Sequence, residues 1–233
     1  TSTTALPLAT KVSLCLDVAD GMLYLHTRTP PIIHRDLKPE NILIGNYDQV
    51  LVVDWGIAKI MGQGGSEVEE TVQVTEAKAY QTQMGSIAGT PAYMAPEQAR
   101  GQIDQIDERT DIYALGAILY EMLSGRCPYN GASHQQILSR VLGGPPPSVR
   151  QSVMHTVRIT QTIEFDFFSE MDDLEDEGPV DSLDDALLPL PNELVLACEK
   201  AMHRVQDRRY PNVDSLRQVV QDWVDGVRKR DKA

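Results

Sequence analysis

Between residues 34 and 41 the chain reads His-Arg-Asp-Leu-Lys-Pro-Glu-Asn, which sets an acid, a cation and an amide within six positions. These are the group types that phosphoryl transfer needs. A carboxylate at Asp36 can orient a hydroxyl nucleophile and accept its proton. An ammonium at Lys38 can neutralise charge on the moving phosphate, and Asn41 can hold a metal ion. Thirteen residues after Asn41, an apolar run from Val50 to Val53 ends at Asp54, with Gly56 two residues on to accommodate an unusual backbone conformation. In isolation Asp54 reads as a turn residue at the end of a strand.

Such groups must be positioned by regular elements. Ile42-Leu43-Ile44 and Val50 to Val53 flank Gly45-Asn46-Tyr47-Asp48-Gln49, which is the pattern of two short strands around a turn. Upstream, Lys11 to His26 places Leu14, Val18, Met22 and Leu25 on one helical face leading into the motif. Downstream, Asp111 opens an apolar helix through Met122. Leu115, Ile118, Leu119 and Met122 form its buried face, and Asp111 is able to bond free backbone N–H groups at its start. A helical pattern resumes near Pro191 with NELVLACEKAMHR.

Residues 34–41 resemble the catalytic loop of eukaryotic-type (Hanks-type) serine/threonine protein kinases, and four later segments carry the likeness on. VLVVDWGIAK (50–59) resembles the Asp-Phe-Gly motif with Trp55 in place of Phe, and GTPAYMAPE (89–97) resembles the end of an activation segment. Asp111-Ile112-Tyr113-Ala114-Leu115-Gly116 opens the central helix of the large lobe, and Asp207-Arg208-Arg209-Tyr210 is the weakest match. The resemblance implies ATP and two Mg²⁺ ions as cofactors, with Asn41 and Asp54 as metal residues. Lys38, Glu40 and Leu43 would contact nucleotide, Leu43 beneath the adenine. Asp36, Lys38 and Thr90 would be catalytic, and Lys38 and Thr90 fit Ser/Thr rather than Tyr substrates. His34 would pack below the loop, Asp111 would brace its backbone, and Glu97 would pair with Arg209, for which a surface arginine is the plainer alternative. The stretch YMAPEQARGQIDQIDERTDIYALGAILYEMLSGRCPYNG looks most like bacterial members.

The resemblance covers residues 1–233 as a catalytic domain of which only the C-terminal lobe is present. The implied fold is a kinase large lobe, mainly α-helical with short β-hairpins around the catalytic loop. No Gly-rich loop and no phosphate-anchoring Lys strand precede Asp36, so the isolated chain is expected to bind ATP poorly and to need an N-lobe in cis. The alternative is a catalytically inactive kinase-like docking or regulatory module. The intact Asp36, Lys38, Asn41 and Asp54 argue against it.

With 42% apolar residues in 233, one globular unit with its own core is expected. No apolar run approaches the roughly 20 residues that span a bilayer. Cys15, Cys127 and Cys198 show no ligand spacing, and buried free thiols suit a cytoplasmic location, with an anchor outside the chain left open. The net charge of −13 argues against a nucleic-acid partner. Eleven acids between Glu164 and Asp185 carry most of that charge, without any Lys or Arg. They belong to an insertion over 143–185 that reads either as a solvated spacer or as a docking arm for a basic partner, the latter suggested by Phe165, Phe167 and Phe168. The activation segment, 54–97, is long and rich in hydroxyls. By resemblance a phosphate there, at Ser86 first or Thr82 second, would pair with Arg35, and Lys59 would contribute.

Overall fold

Helix α1 (Leu8–His26) starts directly after Pro7 and buries Val12, Cys15, Leu16, Val18, Ala19, Met22 and His26. In this computed structural model, residues 7–47, 49–61, 90–154 and 190–230 are described. The buried stripe of α1 is wider than the expected one. Val18 and Met22 are inside, whereas Leu14 and Leu25 are only partly covered.

Helix α3 (Glu108–Ser124) is the hub. Every residue from Thr110 to Tyr120 is buried, the pattern of a helix enclosed on all sides. Helices α1, α5 (Asn192–Ala201) and α6 (Val213–Arg230) pack around it. Each enclosed Leu or Ile, among them Leu115, Ile118 and Leu119, contributes about 1.5–3 kcal/mol by leaving water. The helix begins three residues before the expected start. Its N-cap is Asp107, whose side chain accepts from the Arg109 amide, so Asp111 lies inside the first turn with its carboxylate released for other work. The helix ends at Gly125, whose φ of 72° closes a bond from its amide to Glu121 O at 2.8 Å.

Where α3 meets α5 the backbones come very close at Gly116. A Cβ there would lie 2.7 Å from Ala201 Cβ and 2.9 Å from Met202 Cγ. Gly116→Ala should therefore destabilise the chain by about 1–3 kcal/mol, the usual cost of overpacking. A thermal melt checks this, and an unchanged midpoint would contradict it. Cys198 donates to Gly116 O at 3.3 Å, and burial pushes its thiol upward and that of Cys15 up to about 12. All three cysteines are free thiols.

The strands are short. β2 (Ile42–Ile44) and β3 (Val50–Val52) form the expected antiparallel hairpin in the register Ile42↔Val52, Leu43↔Leu51, Ile44↔Val50. A second ladder had no sequence signal. β1 (Ile32–Ile33) pairs with β4 (Lys59–Ile60), tying the chain before residues 34–41 to the chain after Asp54. Two-residue strands carry no period to read. The short helix α2 (Pro96–Ala99) and helix α4 (His134–Gly143) complete the labelled helices, and a helical turn covers 149–154. No helix among the described residues is long and apolar enough to cross a membrane.

Candidate active site

The loop over residues 34–41 hangs from one buried carboxylate. Asp111 Oδ2 accepts from the His34 amide and Oδ1 from the Arg35 amide, both at 2.8 Å. The His26 ring nitrogen Nε2 lies 2.9 Å from the same Oδ2. These bonds hold Arg35 at φ 71°, a left-handed conformation that costs a non-glycine residue roughly 1–2 kcal/mol. Leu37, 1% exposed, pins the loop into the core, and Pro39–Asn41 closes it as a 3-10 turn.

Donors converge on Asp36 from three residues. Lys38 Nζ donates to Asp36 Oδ2 at 3.0 Å, and Asn41 Nδ2 donates to that oxygen at 3.2 Å and to the Asp36 carbonyl at 2.8 Å. Thr90, 54 residues away, donates its amide to Asp36 Oδ1 at 2.8 Å, while its hydroxyl accepts from Lys38 Nζ at 2.6 Å. Each carboxylate oxygen is thus aimed by a donor, and Oδ1, with one donor among the described residues, keeps accepting capacity. A cation, a carboxylate and a hydroxyl share one corner.

His34, fully buried, links this corner to Asp54. Its Nδ1 accepts from the Asp36 amide at 3.2 Å, so the proton is assigned to Nε2, which donates to Val53 O at 3.1 Å. The Trp55 ring meets it edge-on, with centroids 4.4 Å apart. Trp55 also donates its indole N–H to Val52 O at 3.2 Å, a bond that Phe could not make. Asp54 has φ 64°, and a Cβ at Gly56 would stand 3.3 Å from Asp54 Oδ1. The donor set fits Mg²⁺. Asn41 has turned its nitrogen to Asp36, leaving the amide oxygen to act with the Asp54 carboxylate as hard ligands. Among the described residues no group of three or more His, Cys, Asp or Glu is placed to hold a metal ion. Two oxygen ligands suit an ion that keeps waters and takes phosphate oxygens.

The remaining singled-out residues are spread around this centre. Leu43 is half-exposed on the hairpin beside its cross-strand partner Leu51, and Glu40 is exposed. Glu97 and Arg209, 2% and 3% exposed, form a two-pronged ion pair at 2.8 and 2.7 Å. Lys59 Nζ donates to the Ile103 and Ile106 carbonyls at 2.7 and 3.3 Å. The Arg35 guanidinium has a buried Nε with no acceptor among the described residues. Burial lowers its pKa while Asp111 opposes the shift. Thr82, Ser86 and residues 155–185 of the insertion, with all eleven of its acids, lie outside the described residues, whereas its start is packed rather than solvated, with Val149 fully buried in the core.

Three participants escaped the sequence reading. His26 joins α1 to Asp111, Gln98 donates its Nε2 to the Arg35 carbonyl at 2.7 Å, and Tyr93 donates its hydroxyl to Glu121 Oε2 at 2.6 Å. A groove of about 390 Å³ runs between α1, β2 and the end of α3, lined by Leu14, Val18, Ile42, Ile44 and Met122 among others. None of Asp36, Lys38, Asn41 and Asp54 lines it.

A family model described as "Protein kinase domain" matches residues 3–210. Curated relatives include the serine/threonine-protein kinase PknD of Protochlamydia amoebophila, 45% identical over 117 residues, which are 49% of this chain and 11% of that protein. Pkn1 of Myxococcus xanthus is 41% identical over 143 residues, 59% of this chain and 18% of the relative. PknB of Mycobacterium tuberculosis is 41% identical over 141 residues, 60% and 20% respectively. The chain spans about a tenth to a fifth of the length of these relatives.

Proposed function

Because this chain belongs to the protein kinase domain family, we propose that it transfers the γ-phosphate of ATP to serine or threonine hydroxyls of protein substrates. The observation that carries this reading is the Asp36 carboxylate held between Lys38, Asn41 and Thr90. Asp36 orients the substrate hydroxyl and receives its proton. Lys38, already at 2.6 Å from the Thr90 hydroxyl, faces the phosphate oxygens as charge develops. Thr90 couples the substrate-binding segment to both. Asn41 and Asp54 would hold Mg²⁺, which would supply positive charge against the nucleotide phosphates. Lys38, Glu40 and Leu43 take part in nucleotide contact.

The chain supplies the large lobe of this machinery, with an N-lobe in cis to cover the nucleotide. The half-exposed apolar pair Leu43 and Leu51 supports that assignment, as an uncovered surface suited to an adenine ring and a neighbouring domain. The buried Arg35 Nε, with no acceptor among the described residues, supports control by a phosphate on the 54–97 segment, at Ser86 or Thr82. The acidic 143–185 insertion would dock a basic partner. Free, unpaired thiols fit a reducing, cytoplasmic setting.

The test is transfer of labelled phosphate from Mg-ATP to a generic protein substrate. The chain alone is run beside a fusion that carries a kinase small lobe. Transfer by the fusion, with little or none by the chain alone, is the expected result. A folded fusion that binds ATP and transfers nothing would overturn the reading in favour of a docking module.

A further inference from the structure

Three successive peptide groups lead into Asp36, and each is held by a side chain. Asp111 takes the amides of His34 and Arg35. The last group, between Arg35 and Asp36, is gripped on both edges. Its N–H donates to His34 Nδ1 at 3.2 Å, and its carbonyl accepts from Gln98 Nε2 at 2.7 Å. The shorter bond is the one made by Gln98, a residue only 6% exposed. Rotation of this peptide plane would swing the Asp36 side chain, which projects from its end, and the left-handed Arg35 just before it leaves few ways to compensate.

Gln98 also sits at a junction. It directly follows Glu97, whose pair with Arg209 fixes α2, and it lies eight residues after Thr90, which touches Asp36 directly. The same segment therefore reaches the acid twice, once through Thr90 and once through the backbone. We propose that Gln98 is a positioning residue for phosphoryl transfer, holding the Arg35 carbonyl and thereby the peptide plane that aims Asp36. This rests on the kinase reading of the site, but its test does not need turnover.

Amide hydrogen exchange measured by NMR on the chain itself supplies that test. Gln98→Met keeps the length and loses the donor, while Gln98→Glu keeps the shape and turns an acceptor toward the carbonyl. Exchange at the Asp36 amide should quicken at least tenfold in Gln98→Met, and further in Gln98→Glu, while amides within α3 keep their protection. In the small-lobe fusion, kcat should fall about tenfold with KM for ATP unchanged. Unaltered Asp36 exchange in Gln98→Met, or acceleration spread evenly through α3, would overturn the assignment. Should Gln98→Met fail to fold, the wild-type carboxamide protons of Gln98 decide the matter. A measurable NMR coupling across the hydrogen bond from Gln98 Nε2 to the Arg35 carbonyl carbon upholds the bond, and exchange at the rate of an exposed Gln refutes it. An inactive wild-type fusion with a protected Asp36 amide would count against the kinase reading alone.

Discussion

Asp36→Asn should lower phosphate transfer by the small-lobe fusion about 10²- to 10⁴-fold, the range general acid–base groups supply. The replacement keeps the shape of the side chain. It removes the proton acceptor and also one charge from a corner where Lys38 Nζ lies 3.0 Å from Oδ2 and Asn41 Nδ2 lies 3.2 Å from it. An amide oxygen can still accept from the Thr90 amide, so the segment stays in place. The amide nitrogen would then face two donors, and Lys38 loses its counter-ion. Because the ion pair retains some solvent contact, with side-chain exposures of 18% and 10%, the stability change should be small beside the kinetic one. Steady-state kinetics with a thermal melt separates the two. The expected pattern is a collapsed kcat and a KM for ATP within a few-fold, since the proposed role places Asp36 against the nucleophile rather than the nucleotide. A variant that retains a tenth or more of wild-type kcat would remove Asp36 from the proposed role.

The groups at this corner differ in how openly the sequence declares them. Asp36, Lys38 and Asn41 lie within six positions, so a single tight turn is enough to bring them together. Thr90 is 54 residues from Asp36, and only resemblance to a family pattern connects the two. Asp111 shows the limit of local reasoning. A carboxylate at the head of an apolar helix reads as a cap, yet Asp107, four residues earlier, has the same chemistry and takes that bond. What Asp111 does instead depends on a loop 76 residues away.

His26 and Gln98 were illegible for a related reason. Each is a polar residue at a helical position with no chemical pattern of its own, Gln98 even though it directly follows Glu97, and each acquires meaning from tertiary hydrogen bonding. The helices themselves were easier. Apolar spacing located α1, α3 and α5, because the buried stripe is a property of many residues rather than one. The β1–β4 ladder is two residues long and its strands lie 27 positions apart, so neither period nor turn chemistry announces it.

Breaking the Glu97–Arg209 pair from one side should be strongly destabilising, at about 3–5 kcal/mol. Both side chains are almost wholly buried and meet through two parallel bonds at 2.8 and 2.7 Å. Thr110 donates to Glu97 Oε1 at 3.0 Å, and Arg209 donates to the His203 and Arg109 carbonyls at 2.8 Å each. In Glu97→Gln the guanidinium keeps those carbonyls and loses its counter-charge inside the protein, where water cannot replace it. For a chain of this size such a loss lowers the melting midpoint by roughly 6–20 °C. The double variant Glu97→Gln/Arg209→Met should recover part of that, because the orphaned charge disappears with its partner. Recovery of stability without recovery of phosphate transfer would locate the pair's second role in α2. The Thr90 and Gln98 contacts to the catalytic loop both depend on where that helix is held. Single variants that melt within 2 °C of the wild type would mean that the pair, though buried, contributes little to holding α2 against α3.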